Sequence, residues 1–207
     1  MNSVTLKNIG KRFAGQWIFK NISIEIFIGD VVAITGYNGC GKSTLLQIIA
    51  GYISQTSGQI EYSLNEQKVS HENIYKSISF ASPYIDLIEE FTLKEISGFY
   101  FNFKPALKQH DIGTLVEVSR LKFSQNKKLK YFSSGMKQRV KLILALMADA
   151  PLLLLDEPLS NLDKEGIEWF DNAFAEFKKN KIVFICSNRL AEETKSCNKF
   201  LNVEDYK

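Results

Sequence analysis

Histidine and cysteine are scarce in this 207-residue chain, with two of the first and three of the second. Cys40, Cys186 and Cys197 are odd in number and widely scattered, without a C-x-x-C pair. That argues against a disulfide framework and a zinc site, and for reduced thiols in a cytosolic protein. His71 and His110 stand away from the motifs below and are read as surface residues. Charge of one sign is lacking too: 26 Lys and Arg against 23 Asp and Glu leave +3, which gives no electrostatic case for nucleic-acid binding. The greasiest stretch, residues 140–156, is interrupted by Lys141, Asp149 and Pro151. It falls short of the roughly 18 uncharged apolar residues of a membrane span, and predicts a helix end, a turn and a buried strand. The opening MNSVTLKNIGKRF has no apolar segment of the signal-peptide kind. Repeats, low-complexity tracts and linkers are not seen.

Apolar content of 45% is that of an ordinary globular protein of one domain. Residues 3–9 and 21–28 alternate apolar and polar side chains, as half-buried antiparallel strands do. The runs VVAIT (31–35), LLLLD (152–156) and KIVFICS (181–187) read as strands buried on both faces. A helix is predicted after Gly41, a strand within TSGQIEYSL, another over residues 74–80, and a short terminal strand in FLNVEDY. Residues 83–148 turn helical, and DKEGIEWFDNAFAEFKKN is amphipathic. Buried strands alternating with helices imply a parallel α/β sheet. The expected organisation is one unit with two lobes: residues 1–82 with 149–207, and a helical insertion, 83–148.

Three motifs carry chemistry. GYNGCGKST, residues 36–44, fits G-x-x-x-x-G-K-[ST] between a buried strand and a helix. Gly36, Gly39 and Gly41 let backbone N–H groups around Asn38 and Cys40 turn toward one anion, and Lys42 adds a full charge. Ser43 is placed to ligate Mg²⁺, and Thr44 to reach the α-phosphate side. In LLLLDEPLSNLD, a leucine strand delivers Asp156 to its carboxyl end, where open α/β sheets bind ligands. Asp156 suits the metal's hydration shell, and Glu157 a general base acting on water. YFSSGMKQRV, residues 131–140, is a helix start with Ser133 or Ser134 as cap and Gly135 close behind.

Phosphate loop, S-S-G-M-K-Q-R, LLLLDEP and SNLD, in this order and spacing, resemble the ATP-binding subunit of an ABC transporter along essentially the whole chain. The resemblance implies an α/β P-loop NTPase fold with a mostly parallel core sheet, an N-terminal antiparallel β-subdomain and an inserted α-helical subdomain. It implies ATP and Mg²⁺ as ligands, held between two copies, or this chain and a paralogous ATPase subunit, arranged head to tail. Ser133, Ser134 and Gly135 would then act on the partner's γ-phosphate, Asn161 and Asp163 would lie along the interface, and Phe13 would stack on adenine. A plain core phenylalanine is the blander reading of Phe13. Cys40 invites thiol chemistry within the loop, although an inert position is the simpler reading. A separate membrane permease is implied as partner, with the chain cytoplasmic and peripheral on the membrane's inner face, and no nucleic acid.

The chain departs from that family's pattern in three places. Phe132-Ser133-Ser134-Gly135-Met136 replaces L-S-G-G-Q. Asn188 stands where a histidine normally meets the γ-phosphate; it donates a hydrogen bond but cannot become cationic. Losing such a transition-state contact typically costs about 2.7–4 kcal/mol. Arg189 beside it is expected to face elsewhere. Ala81-Ser82-Pro83-Tyr84 lacks the family's glutamine, with Ser82 the available hydroxyl and Pro83 stiffening the connection. Nucleotide binding is expected, and hydrolysis at a reduced rate. The alternatives are an ATP-gated dimerisation switch with little turnover and a soluble ABC ATPase not engaged in transport. A small P-loop kinase leaves the serine-glycine element unexplained.

Overall fold

The structure is a computed structural model that describes residues 2–64, 67–107, 112–124, 126–188 and 190–207. Backbone contacts divide it into two compact units: residues 1–80 with 151–157 and 180–207, and residues 81–150 with 158–179.

The first unit holds two sheets. In the four-stranded sheet, ordered β2-β1-β4-β5, strands β1 (Ser3–Phe13), β2 (Gln16–Phe27), β4 (Ser57–Leu64) and β5 (Gln67–Val69) pair antiparallel. Alternation buries Val4 and Leu6 while their neighbours stay outside the core. The β1–β2 hairpin is longer than the alternating segments predict. It turns through Ala14 and Gly15 alone, both at positive φ (45° and 85°), the geometry whose twist matches paired strands. An Ala-Gly turn lacks the Asn or Asp that announces such a hairpin, so the sequence pattern fades before the strands end.

The five-stranded sheet is ordered β6-β7-β8-β3-β9, with β6 at Ile78–Ala81, β7 at Leu152–Asp156, β8 at Ile182–Cys186, β3 at Val31–Thr35 and β9 at Lys199–Asn202. β7 on β8, β8 on β3 and β3 on β9 pair in parallel. All five residues of β7 and of β8 are buried, as continuous apolar strands must be. Helix α1 (Lys42–Ile49) packs Leu45, Leu46, Ile48 and Ile49 into one core with side chains of both sheets. Helix α6 (Leu190–Glu193) is a single turn.

Two predicted strands are shorter than expected. Residues 74–77 form a 3₁₀ turn and only 78–81 extend, because Asn73 and Lys76 close turns through their amides onto Ser70 and Asn73. FLNVEDY extends only to Asn202, whose side chain accepts from the Glu204 amide and starts a 3₁₀ turn, Val203–Tyr206.

The second unit is helical, with α2 (Leu93–Phe103), α3 (Ile112–Val118), α4 (Ser134–Met147) and α5 (Lys164–Phe177). Thr92 and Glu95 form a reciprocal capping box on α2. Ser133 caps α4, and Asp163 caps α5. Trp169, Phe170, Phe174 and Phe177 bury one face of α5. No helix among the described residues is long and apolar enough to cross a membrane.

Candidate functional site

β3 ends at Thr35, and the chain turns through Gly36 before the loop winds into α1. Gly36 has φ +136°, and a Cβ there would stand 2.6 Å from Cys40 Sγ. Gly41 has φ +113°, and a Cβ would stand 2.5 Å from Ile18 Cγ2 of β2. Neither place admits a side chain. Gly39 differs from both. A Cβ there would meet nothing within 4 Å, so its φ of +81°, and not close packing, is what calls for glycine. Gly41 is also the residue preceding α1, and no side chain caps that helix, so its first N–H groups stay open to an anion.

Lys42 is buried, and its Nζ donates to the carbonyls of Gly36 (2.9 Å) and Tyr37 (3.1 Å). The ammonium is therefore folded back inside the loop. Ser43 Oγ donates to Asp156 Oδ1 at 3.1 Å, joining the loop to the end of β7. Thr44 follows on the first turn of α1, half-buried. Two oxygen donors like those of Ser43 and Asp156 suit Mg²⁺, which takes few protein ligands when phosphates and water complete its octahedron.

One residue beyond Asp156, Glu157 adopts φ +44°, an uncommon conformation for a side chain of its size. Its amide donates to Cys186 O at 3.0 Å. The Asn188 side-chain amide donates to Glu157 Oε1. Ser187 is buried, and its Oγ has no hydrogen-bond partner among the described residues. A cavity of about 390 Å³ lies here, lined by Thr35, Gly36, Tyr37, Asn38, Ser187 and Asn188 together with Asn202 and Glu204.

Cys40 points into the core, wholly buried among apolar side chains. Its amide donates to Tyr37 O. Cys186 is equally buried; desolvation first, then the nearby Asp156 carboxylate, pushes its thiol well above the ordinary range. Phe13 stands beside the hairpin turn of β1 and β2, 49% exposed, with Lys11 Nζ 4.6 Å from its ring centroid. That excludes the reading of Phe13 as a core side chain.

In the helical unit, Ser133 Oγ accepts from Met136 N at 3.2 Å, which settles which serine is the cap. Ser133, Ser134 and Gly135 line a cavity of about 490 Å³ with Arg120, Asn161 and Asp163 among its other walls. A Cβ on Gly135 would stand 2.9 Å from Asn161 O, so the helix start and the loop before α5 touch backbone to backbone. Asp163 Oδ1 caps Gly166 N at 2.7 Å and lies 3.9 Å from Arg139. Ser82 is buried, and its Oγ accepts from the Tyr84 amide at 3.3 Å.

Sequence reasoning missed Asn202, Glu204 and Lys207 as neighbours of the loop. Glu204 Oε1 accepts from the Tyr37 amide at 2.7 Å, and Lys207 Nζ reaches Cys40 O at 3.2 Å. The parallel register of β9 on β3, Asn202 opposite Thr35, delivers them, and no motif spacing announces it. His71 is not the surface residue expected: it is half-buried, its Nε2 enclosed without a partner among the described residues. His110 and Arg189 lie outside the described residues.

The parallel sheet, the glycine loop leading into α1 and the carboxylate at the end of β7 define an α/β P-loop NTPase. The family model of the ABC transporter matches residues 19–160, and the chain belongs to that family. It is 30% identical over 201 residues to the lantibiotic transport ATP-binding protein SrtF of Streptococcus pyogenes, an alignment covering 95% of this chain and 84% of that one. To the Nod factor export ATP-binding protein I of Rhizobium johnstonii it is 28% identical over 208 residues. That alignment covers 98% of this chain but 66% of the relative, so the chain spans just under two thirds of that protein's length. A solved ATP-binding subunit of an ABC transporter shares the fold, with a TM-score of 0.85 at 24% identity over 97% of this chain and 85% of that one.

Proposed function

We propose that the chain is the ATP-binding subunit of an ABC transporter, which binds and hydrolyses Mg-ATP in a head-to-tail dimer and works on a separate membrane permease. The observation that carries this reading is the 3.1 Å bond between Ser43 and Asp156, which joins the phosphate loop to the acidic strand end at the mouth of a parallel sheet. The loop amides and α1 N-terminus receive the phosphates, and Lys42 swings from the Gly36 and Tyr37 carbonyls to the β- and γ-phosphates. Ser43 and Asp156 hold Mg²⁺, which neutralises phosphate charge when bound. Glu157 orients the attacking water and accepts its proton, and Phe13 offers a face for adenine.

Ser133, Ser134 and Gly135 act on the nucleotide of the second copy. Exposed Tyr84, Ile85, Ile88, Phe99 and Phe103, with Tyr84 76% and Phe103 74% accessible, supply apolar surface suited to a permease. Through that partner the chain sits at the inner face of the membrane, in the cytoplasm.

The bond from Asn188 to Glu157 favours a second reading, an ATP-gated switch that dimerises and turns over slowly. A neutral amide supplies no cationic charge to the γ-phosphate as that charge develops. The test of the main reading is Mg-ATP binding by the purified chain. Lys42→Ala should weaken it by roughly 100-fold, the loss of a charge-assisted contact at a desolvated site. Equal affinity in the two proteins would overturn it.

A further inference from the structure

We propose that Glu204 is a positioning residue for the phosphate loop, setting the affinity for nucleotide from outside the motifs that contact it. The inference rests on the ATP-binding reading of the loop and names a further determinant of that same site.

The Gly36–Tyr37 peptide unit is held on both of its edges. Its carbonyl, Gly36 O, accepts from Lys42 Nζ at 2.9 Å. Its N–H, on Tyr37, donates to Glu204 Oε1 at 2.7 Å. One peptide plane thus links the loop's ammonium to a carboxylate brought from 167 residues further along the chain. Gly36 stands at φ +136°, where glycine's freedom would otherwise let this plane rotate. Glu204 removes that freedom.

The backbone that carries the exposed Glu204 side chain is itself held in place. Leu201 and Val203 are buried on either side of Asn202, β9 lies parallel on β3, and Asn202 Oδ1 accepts from the Glu204 amide at 3.3 Å. A Cβ on Gly36 would meet Glu204 Oε1 at 3.3 Å and Asn202 Oδ1 at 3.4 Å, so the turn and loop are in close contact. Lys207 also contacts this loop, with Nζ 3.2 Å from Cys40 O and 5.2 Å from the Tyr37 ring centroid.

A carboxylate at the edge of an anion site would repel the phosphates if charge were its contribution. Its value here is an acceptor at the right reach, which fixes the peptide plane whose carbonyl Lys42 must leave when phosphate arrives. Reach and charge separate in two variants. Glu204→Gln keeps the reach without the charge, and Glu204→Asp keeps the charge one methylene short.

The experiment is titration of the full chain with Mg-ATP by calorimetry, alongside thermal melting without nucleotide. Glu204→Ala and Glu204→Asp should each weaken binding about tenfold, and Glu204→Gln less than about threefold, with nucleotide-free melting unchanged among soluble variants. Should the alanine variant fail to fold, the Gln and Asp pair gives the same contrast. Unchanged affinity in Glu204→Asp, equal weakening in Gln and Asp, or lowered melting with unaltered affinity would each overturn the proposal. Lys42→Ala run in parallel separates the two failures. If it loses ATP while every Glu204 variant binds normally, only the positioning role falls; if the wild type does not bind, both fall.

Discussion

The Asn188 side chain donates its amide proton to Glu157 Oε1, across the carboxyl ends of two adjacent parallel strands. The general base proposed for water activation is therefore restrained by a group that cannot titrate. A histidine at 188 would bring a group that becomes cationic near neutral pH. Asn188→His should raise ATP turnover by roughly 10²-fold, the scale of one recovered transition-state contact. Phosphate release by the two proteins measures it; no turnover in either would favour the switch reading.

Removing the Ser43 hydroxyl leaves Asp156 without the loop partner that meets it at 3.1 Å. Ser43→Ala should lower the apparent affinity for Mg²⁺ in the presence of ATP by roughly tenfold, and alter metal-free nucleotide binding far less. Titration of magnesium at fixed ATP separates the two effects.

Gly135 lies against the Asn161 carbonyl with no room for a methyl group at 2.9 Å. Gly135→Ala forces the start of α4 away from the loop before α5, a shift expected to cost about 1–3 kcal/mol. ATP-dependent dimerisation should weaken, while ATP binding by the monomer should not. Sedimentation with and without ATP reads the first, and calorimetry the second.

Acid should loosen the turn that leads into β3. Burial raises the Asp30 pKa, but the Lys199 ammonium, the Phe27 amide and Asn198 outweigh it, leaving the carboxyl below its ordinary 3.8. A group whose pKa is lowered by folding contributes stability that is present above the unfolded value and lost as pH falls through the folded one. Wild type should therefore lose melting temperature below about pH 4 more steeply than Asp30→Asn, which has no such proton to gain.

The phosphate loop, the leucine strand and the serine-glycine helix start were legible because each places a distinctive set of residues at a fixed local spacing. β3 matched its apolar run, Val31–Thr35, because Val31 to Ile34 are all buried on both faces of the sheet. Segments governed by local turn chemistry were less legible. The Asn202 cap cut the final strand short, and the Ala14–Gly15 turn let the first hairpin run longer than its alternation. Phe13 and Cys40 show the limit for single side chains: one proved exposed and the other buried, and composition could not say which. Glu204 was beyond local reasoning altogether, because parallel pairing of β9 on β3 brings it to the loop from a distant segment.

The most direct test of the central claim is the oligomeric state of Glu157→Gln with Mg-ATP, followed by light scattering. If two copies close head to tail on ATP and Glu157 drives its hydrolysis, this variant should accumulate as a dimer with ATP and stay monomeric with ADP. Adding Lys42→Ala to it should abolish the dimer. A Glu157→Gln protein that binds ATP yet remains monomeric would contradict the shared site.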